Sequence, residues 1–360
     1  VLAYLLAVTV VIVAAGRLGD MLGRRRLLAA GLALYAVGAL LCAAAPSFWL
    51  LAAARAVQGA GAATMLAHAM ALAGDTVPKA QLGRAMGLLG TMSAVGTASG
   101  PLCGGMLIAW ADWRAIFLVS GLAAAATLAL ARRVLPAERA AIKPTQAEQG
   151  RDGAAPLLDL TLFRQPGLRA ALIVSLLVAT VMMATLVVGP YYLSHDLGLD
   201  PATVGLMIGA GPLVSATAAT PAGRAVDRFG AAAMTAAGLA LALTGALGLA
   251  ASPLRPGVFS YLAALAVLTG GYSLFQTANN AAVMRDVAAE RRGVVAGLLN
   301  LSRNLGLIAG ASAMGALYAG FGMSAAFLAA AGLIAAALGV VLAGGRATET
   351  APPAKSPLHP

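Results

Sequence analysis

Few residues of this 360-residue chain could do chemistry in an apolar setting, and they come in small groups. Arg55 and Gln58 stand three apart in the run LLAAARAVQGAGAA (50–63). Gln276, Asn279 and Asn280 follow an i, i+3, i+4 spacing, and Asn300, Arg303 and Asn304 repeat it. On a helix such residues share a face. Amides and a guanidinium there can bond a neighbouring helix or line a polar cavity, and the residues alone leave both open. Nothing points to covalent or metal chemistry. His68, His195 and His359 have no acid or cysteine at ligand spacing, and Cys42 and Cys103 are isolated in apolar runs. Lys79, Lys143 and Lys355 follow no glycine-rich phosphate loop, so ATP hydrolysis is not expected. The expectation is a protein that is not an enzyme and needs no metal or other cofactor.

The elements that carry these residues are apolar runs of membrane-spanning length. The chain is 60% hydrophobic and 10% charged, with mean hydropathy +0.87. A soluble domain is about 25% charged, so the bilayer is the fitting solvent. A helix needs about 20 apolar residues to cross the hydrocarbon. Runs of that kind fall near 1–15, 27–45, 49–74, 84–109, 114–131, 170–193, 202–222, 231–251, 257–283, 293–318 and 322–344. They are apolar all round, which excludes a barrel with alternating faces. The net charge of +11 does not indicate nucleic acid, because the basic residues lie between apolar runs.

Those basic residues also orient the chain. If the segment GRLGDMLGRRR (16–26) is cytoplasmic, Lys and Arg fall almost wholly on that side. Only Arg114 and Arg255 lie opposite, and Arg55 and Arg303 lie within spans. This is the positive-inside asymmetry. Trp49, Trp110 and Trp113 fall at outer span ends, where an interfacial aromatic belt belongs. The segment 16–26 reads as a short hairpin in which Gly16 and Gly23 turn the chain. Asp20 can pair with an arginine or face a helix N-terminus. The segment recurs: 16–34 and 223–241 are identical at ten of 19 positions, which pairs Asp20 with Asp227. A weaker repeat relates 83–100 to 293–310 at six of 18 positions. The offsets, 207 and 210, are nearly equal, so a multi-helix unit is duplicated.

These motifs resemble the major facilitator superfamily, and within it the drug/proton antiporter families. Gly16-x-Leu18-x-Asp20-x-x-Gly23-Arg24-Arg25 matches the superfamily's loop signature. Gly96-x-x-x-Gly100-Pro101-x-x-Gly104-Gly105 is similar to the antiporter signature of the fifth family helix. Residues 50–63, with Arg55, Gln58, Gly59 and Gly61, resemble the fourth-helix signature, and 279–306 the tenth-to-eleventh-helix region. The resemblance implies an all-α polytopic membrane protein of the major facilitator fold, with two pseudo-symmetric six-helix bundles. The corresponding division is 1–131, a cytoplasmic linker 132–169, a second bundle 170–345 and a cytoplasmic tail 346–360. It further implies export of amphiphilic small molecules by proton antiport with alternating access, from a monomer in the plasma membrane. Asp20, with Asp227 as its counterpart, would hold one conformational state by pairing across the inner face. Arg55 would serve coupling or substrate handling. Gln276, Asn279 and Asn280 would line the cavity, with Arg303 on a supporting helix.

Gly96, Gly100 and Gly104 stand four apart, a face suited to close helix contact, and Pro101 removes a backbone donor there. Gly306 and Gly310 form the matching, weaker face. Either dense packing or a moving contact would use such a face. Eleven spans against the family's twelve imply that the first family helix precedes Val1, and that this chain cannot transport without it. All 13 acids lie in loops, at span ends or in the tail. A proton-driven exporter needs a carboxylate that titrates inside the protein. Three readings follow: the preceding helix carries it, His68 substitutes, or coupling is not to protons. A transporter of a defined polar solute and a non-transporting sensor or scaffold are the alternatives to an exporter.

Overall fold

The computed structural model describes residues 2–134, 164–254 and 257–349, and within them the chain is helical with no strand. The centre of the expected linker and the end of the expected tail lie outside the described residues. Every run expected to span is a helix. In chain order these are α1 Leu2–Leu22, α2 Arg24–Ala44, α3 Phe48–Thr76, α4 Leu82–Trp110 and α5 Trp113–Val134. Then come α6 Pro166–Tyr191, α7 Pro201–Phe229, α8 Ala231–Ala251 and α9 Val258–Asp286. The last helical stretch, Arg292–Glu349, breaks at Gly322, whose φ of 78° no helix accommodates. Its two limbs are α10 and α11. Helices are the economical solution here, because each backbone donor finds its acceptor within its own segment.

Among the described residues, eight helical stretches are long and apolar enough to cross a membrane. Their outward side chains agree: Leu6, Val10, Leu122, Leu206 and Phe259 are all at least 66% exposed. Such a belt would be an aggregation surface in water and is ordinary against lipid. The span at α6 is the most enclosed, 56% buried, and that at α5 the least, 11%.

The duplication is visible as repeated contacts. Gly31 of α2 packs on Gly61 and Thr64 of α3, and Gly238 of α8 packs on Gly271 and Phe275 of α9. The turns before α4 and α10 are matching short helices, Lys79–Gln81 and Ala289–Arg291. The turn glycines Gly23 and Gly230 have φ of 101° and 86°.

The buried apolar side chains fall into two clusters. One joins α6, α8, α9, α10 and α11. The other straddles the two repeats. It brings Ile12 of α1, Ala63 of α3 and Met86 of α4 together with Leu172 of α6, Val226 of α7, Met284 of α9 and Val295 of α10. The two halves are therefore fastened by apolar packing near the end that carries Asp20 and Asp227, the latch end.

The hairpin differs from expectation. Residues 16–22 are not a loop, because α1 continues to Leu22 and only Gly23 breaks the helix. Gly16 does not turn the chain. It lies inside α1 against the Gly293 carbonyl, where a Cβ would collide with backbone. Continuing the helix through the charged segment keeps its backbone bonds and leaves a single residue to reverse direction.

Candidate functional site

At the latch end, two carboxylates cap two helices across the repeat boundary. Asp20, at the end of α1, accepts from the Gly293 and Val294 amides at the start of α10, each at 3.0 Å. Asp227, at the end of α7, accepts from the Gly83 and Arg84 amides at the start of α4, at 2.8 and 2.9 Å. The first amides of a helix have no intrahelical partner, and the dipole there favours an anion. Each aspartate thus supplies what the other half's helix lacks. Beside each carboxylate the backbones meet, Gly16 on Gly293 and Gly223 on Gly83. Side chains there would hold the aspartates out of reach.

The first latch is larger. Arg24 donates to Asp20 from Nε at 3.0 Å and Nη2 at 2.6 Å. It also reaches Asp75 in the last turn of α3 and the Ala289 carbonyl. Arg292 donates to Asp75 at 2.8 Å and to the Gly74 carbonyl at 2.7 Å. Asp20 and Arg24 are buried, with side chains 6% and 9% exposed. Asp75 belongs to no motif, and Arg292 lies in the 279–306 region without a role implied by it. One signal was available: an acid in the last turn of a helix opposes the macrodipole and calls for a cation. Arg25, expected in the switch, instead donates to the Arg132 carbonyl at 3.0 Å, at the end of α5.

A cavity of about 280 Å³ opens between the halves. Its wall includes Gly90, Ser93 and Thr97 of α4, Met182 and Leu186 of α6, and Ile208 and Ser215 of α7. Tyr261, Leu265, Tyr272 and Gln276 of α9, with Arg303 and Leu307 of α10, complete it. Most of these positions lie at mid-helix or in the half of each helix away from the latches, while Gly90 and Gln276 lie on the latch side of mid-helix. A narrow polar pocket of about 20 Å³ shares Tyr272, Gln276 and Arg303, and continues to Asn279, Asn280 and Asn300. Asn279 donates to Ser175 at 3.0 Å, and Arg303 donates to the Asn300 carboxamide oxygen at 3.1 Å.

The structure thus brings Gln276, Asn279, Asn280 and Arg303 together, and Arg303 lines the cavity itself rather than supporting it. Asn304 lines neither space, because one residue is about 100° of turn on a helix. Arg55 and Gln58 also lie outside both. Arg55 donates to Gln58 at 2.6 Å, with its guanidinium 4.5 Å from the Tyr4 ring centroid and 5.5 Å from that of Phe117. This joins α1, α3 and α5 within the first repeat.

The two glycine faces differ at the positions that are described. Gly306 and Gly310 of α10 touch the Leu176 and Thr180 carbonyls of α6, whereas a Cβ on Gly96 would meet nothing within 4 Å. The close contact expected at Gly96 is not made, since that position faces open space. Helix α4 continues through Gly100, Pro101, Gly104 and Gly105, whose surroundings lie outside the described residues. His68 of α3 is fully buried against Gly19, its Nδ1 2.6 Å from the Thr64 carbonyl and its Nε2 without a partner.

Two helix-capping carboxylates related by the repeat close one end of a central cavity. The family model described as Major Facilitator Superfamily matches the chain twice, over residues 1–190 and 171–360. The chain belongs to the major facilitator superfamily. It is 27% identical to the uncharacterized transporter YebQ of Escherichia coli (strain K12), over 95% of this chain and 84% of YebQ. It is 29% identical to the multidrug resistance protein Stp of Mycobacterium tuberculosis (strain CDC 1551 / Oshkosh), over 89% of this chain and 68% of Stp. Among solved structures, the human organic anion transporter MFSD10 (TETRAN) superposes with a TM-score of 0.78 at 19% identity, covering 94% of this chain and 82% of that one. That identity speaks for the fold alone. As a superfamily member, the protein is a multi-pass membrane transporter of small molecules.

Proposed function

We propose that this superfamily member is a secondary exporter of amphiphilic small molecules, driven by proton antiport and working by alternating access. In this reading it lies in the plasma membrane, with the latch end, the linker 132–169 and the tail 346–360 cytoplasmic. The two bundles, 1–131 and 170–345, rock about the cavity between them, and the protein acts as a monomer. One observation carries the reading: the cavity lies beyond two intact cross-bundle latches, and its wall mixes apolar side chains with seven hydroxyl groups, the Gln276 amide and the Arg303 guanidinium. This is the arrangement of a carrier sealed on the latch side with its binding space turned to the other. Opening the sealed side requires breaking the four charge-assisted backbone bonds together with the Arg24–Ala289, Arg292–Gly74 and Arg292–Asp75 contacts and the apolar packing beside them. The resemblance to Stp, a multidrug resistance protein, supports the choice of cargo.

The test uses purified protein in liposomes loaded with a panel of amphiphilic dyes and, separately, radiolabelled sugars and amino acids. A pH step across the membrane should drive dye movement against the proton flux, and a protonophore should stop it. Dye movement indifferent to the pH step would overturn proton coupling. Movement of the polar solutes without the dyes would overturn the cargo class.

A further inference from the structure

We infer that the cargo of this cavity is an amphiphilic anion whose negatively charged group is held by Arg303. This rests on the export reading and narrows its substrate class. Arg303 is the only charged residue of the cavity wall among the described residues. It stands eleven residues into α10 from Arg292, roughly 16 Å along the helix at ~1.5 Å per residue, which is mid-depth. A cation at that depth is costly and is normally paired or set against water. No described carboxylate lies within ion-pair distance of it, and its hydrogen bond goes to the neutral Asn300. The acids that could have balanced it, Asp20, Asp75 and Asp227, are committed to the latches.

The surroundings fit a charged head and an apolar body. Tyr272 and Gln276 border both the cavity and the polar pocket, beside Arg303. Neither makes a side-chain hydrogen bond to another described residue, so both can serve an acceptor group. Met182, Leu186, Ile208 and Leu265 offer an apolar wall for a ring or chain, and the space of about 280 Å³ suits a two-ring molecule. Arg303 also breaks the internal symmetry: its counterpart 210 residues earlier is Ser93, which lines the same cavity. The duplication therefore does not demand a cation here. Guanidinium pairs with carboxylate or sulfonate oxygens in a two-pronged geometry and keeps its charge at any physiological pH. An organic cation would meet an uncompensated like charge instead.

The experiment measures equilibrium binding of three ring-matched probes to the full chain in phosphatidylcholine nanodiscs, with empty nanodiscs subtracted. The probes are 1-naphthoate, 1-naphthalenemethanol and 1-naphthylmethylammonium. Naphthoate should bind tightest, by about tenfold or more over the alcohol, as a hydrogen bond to a charged group provides. Arg303→Gln should erase that preference, the naphthoate affinity falling by about tenfold and the alcohol's by much less. Arg303→Lys should retain part of it. Tightest binding of the ammonium probe, a naphthoate preference that survives Arg303→Gln, or binding of none of the three would overturn the inference. Movement of the ammonium probe or cationic dyes without naphthoate would leave export standing and remove the anionic class. Arg303-dependent naphthoate binding without any transport would do the reverse.

Discussion

Asp20 and Asp227 occupy equivalent positions, yet only Asp20 has an arginine. The residue that corresponds to Arg24 in the second repeat is Ala231, so Asp227 holds its two amides without a described ion pair. Removing charge at the two sites should therefore have unequal effects. An asparagine keeps one acceptor oxygen and leaves Arg24 with Asp75 as its remaining described carboxylate partner. Breaking a buried pair outright costs about 3 kcal/mol, roughly a hundredfold in a two-state equilibrium, and this is the upper limit here because Asp75 still pairs with Arg24. Asp20→Asn should impair transport severely with near-normal membrane insertion, while Asp227→Asn should lose several-fold less. Transport rates normalised to protein in the membrane check this, and equal losses would mean that Arg24 adds nothing to the latch.

Among the elements, α10 is the pivot. Its N-terminus is capped by Asp20, its middle carries Arg303, and its small face is pressed onto α6 at Gly306 and Gly310. A methyl group on Gly306 would strike the Leu176 carbonyl, and overpacking of this kind typically costs about 1–3 kcal/mol. Gly96→Ala adds the same methyl where nothing lies within 4 Å. The expected outcome is a lowered melting temperature and reduced transport for Gly306→Ala, and neither for Gly96→Ala, by thermal unfolding in detergent and by flux in liposomes. Loss of flux in Gly96→Ala at unchanged stability would instead place a moving contact at that glycine, one made only when the carrier turns.

For the whole molecule, the two latches lie on different helix pairs and share no partner, so their contributions should add. Together with the apolar cluster beneath them, they hold the halves closed at one end. Met86 sits in that cluster, 2% exposed. A cysteine placed there should resist a membrane-impermeant maleimide applied from the latch side. In the Asp20→Asn, Asp227→Asn double variant it should become reactive, because the equilibrium moves toward the state open at that end. Continued protection in the double variant would show that apolar packing alone sets the resting state.

The sequence alone determined the helices, because a run of twenty apolar residues has one low-energy solution in lipid. It also determined the duplication and the pairing of Asp20 with Asp227, because identical residues at nearly equal offsets survive in the text itself. Superfamily membership followed from those motifs. The tertiary structure decided what each polar residue faces. Helical spacing put Asn300, Arg303 and Asn304 on one stretch, but the partner helices admit Arg303 to the cavity and leave Asn304 out. It placed Arg55 among aromatic rings within one repeat instead of in the cavity wall, and it extended α1 through the segment expected to turn, so that Gly16 became a contact rather than a bend. It also recruited Asp75 and Arg292, which are far apart in the chain and meet only when α3 and α10 converge. Periodicity fixes a residue's direction about its own helix axis, whereas the neighbour waiting in that direction is chosen by packing between helices distant in sequence.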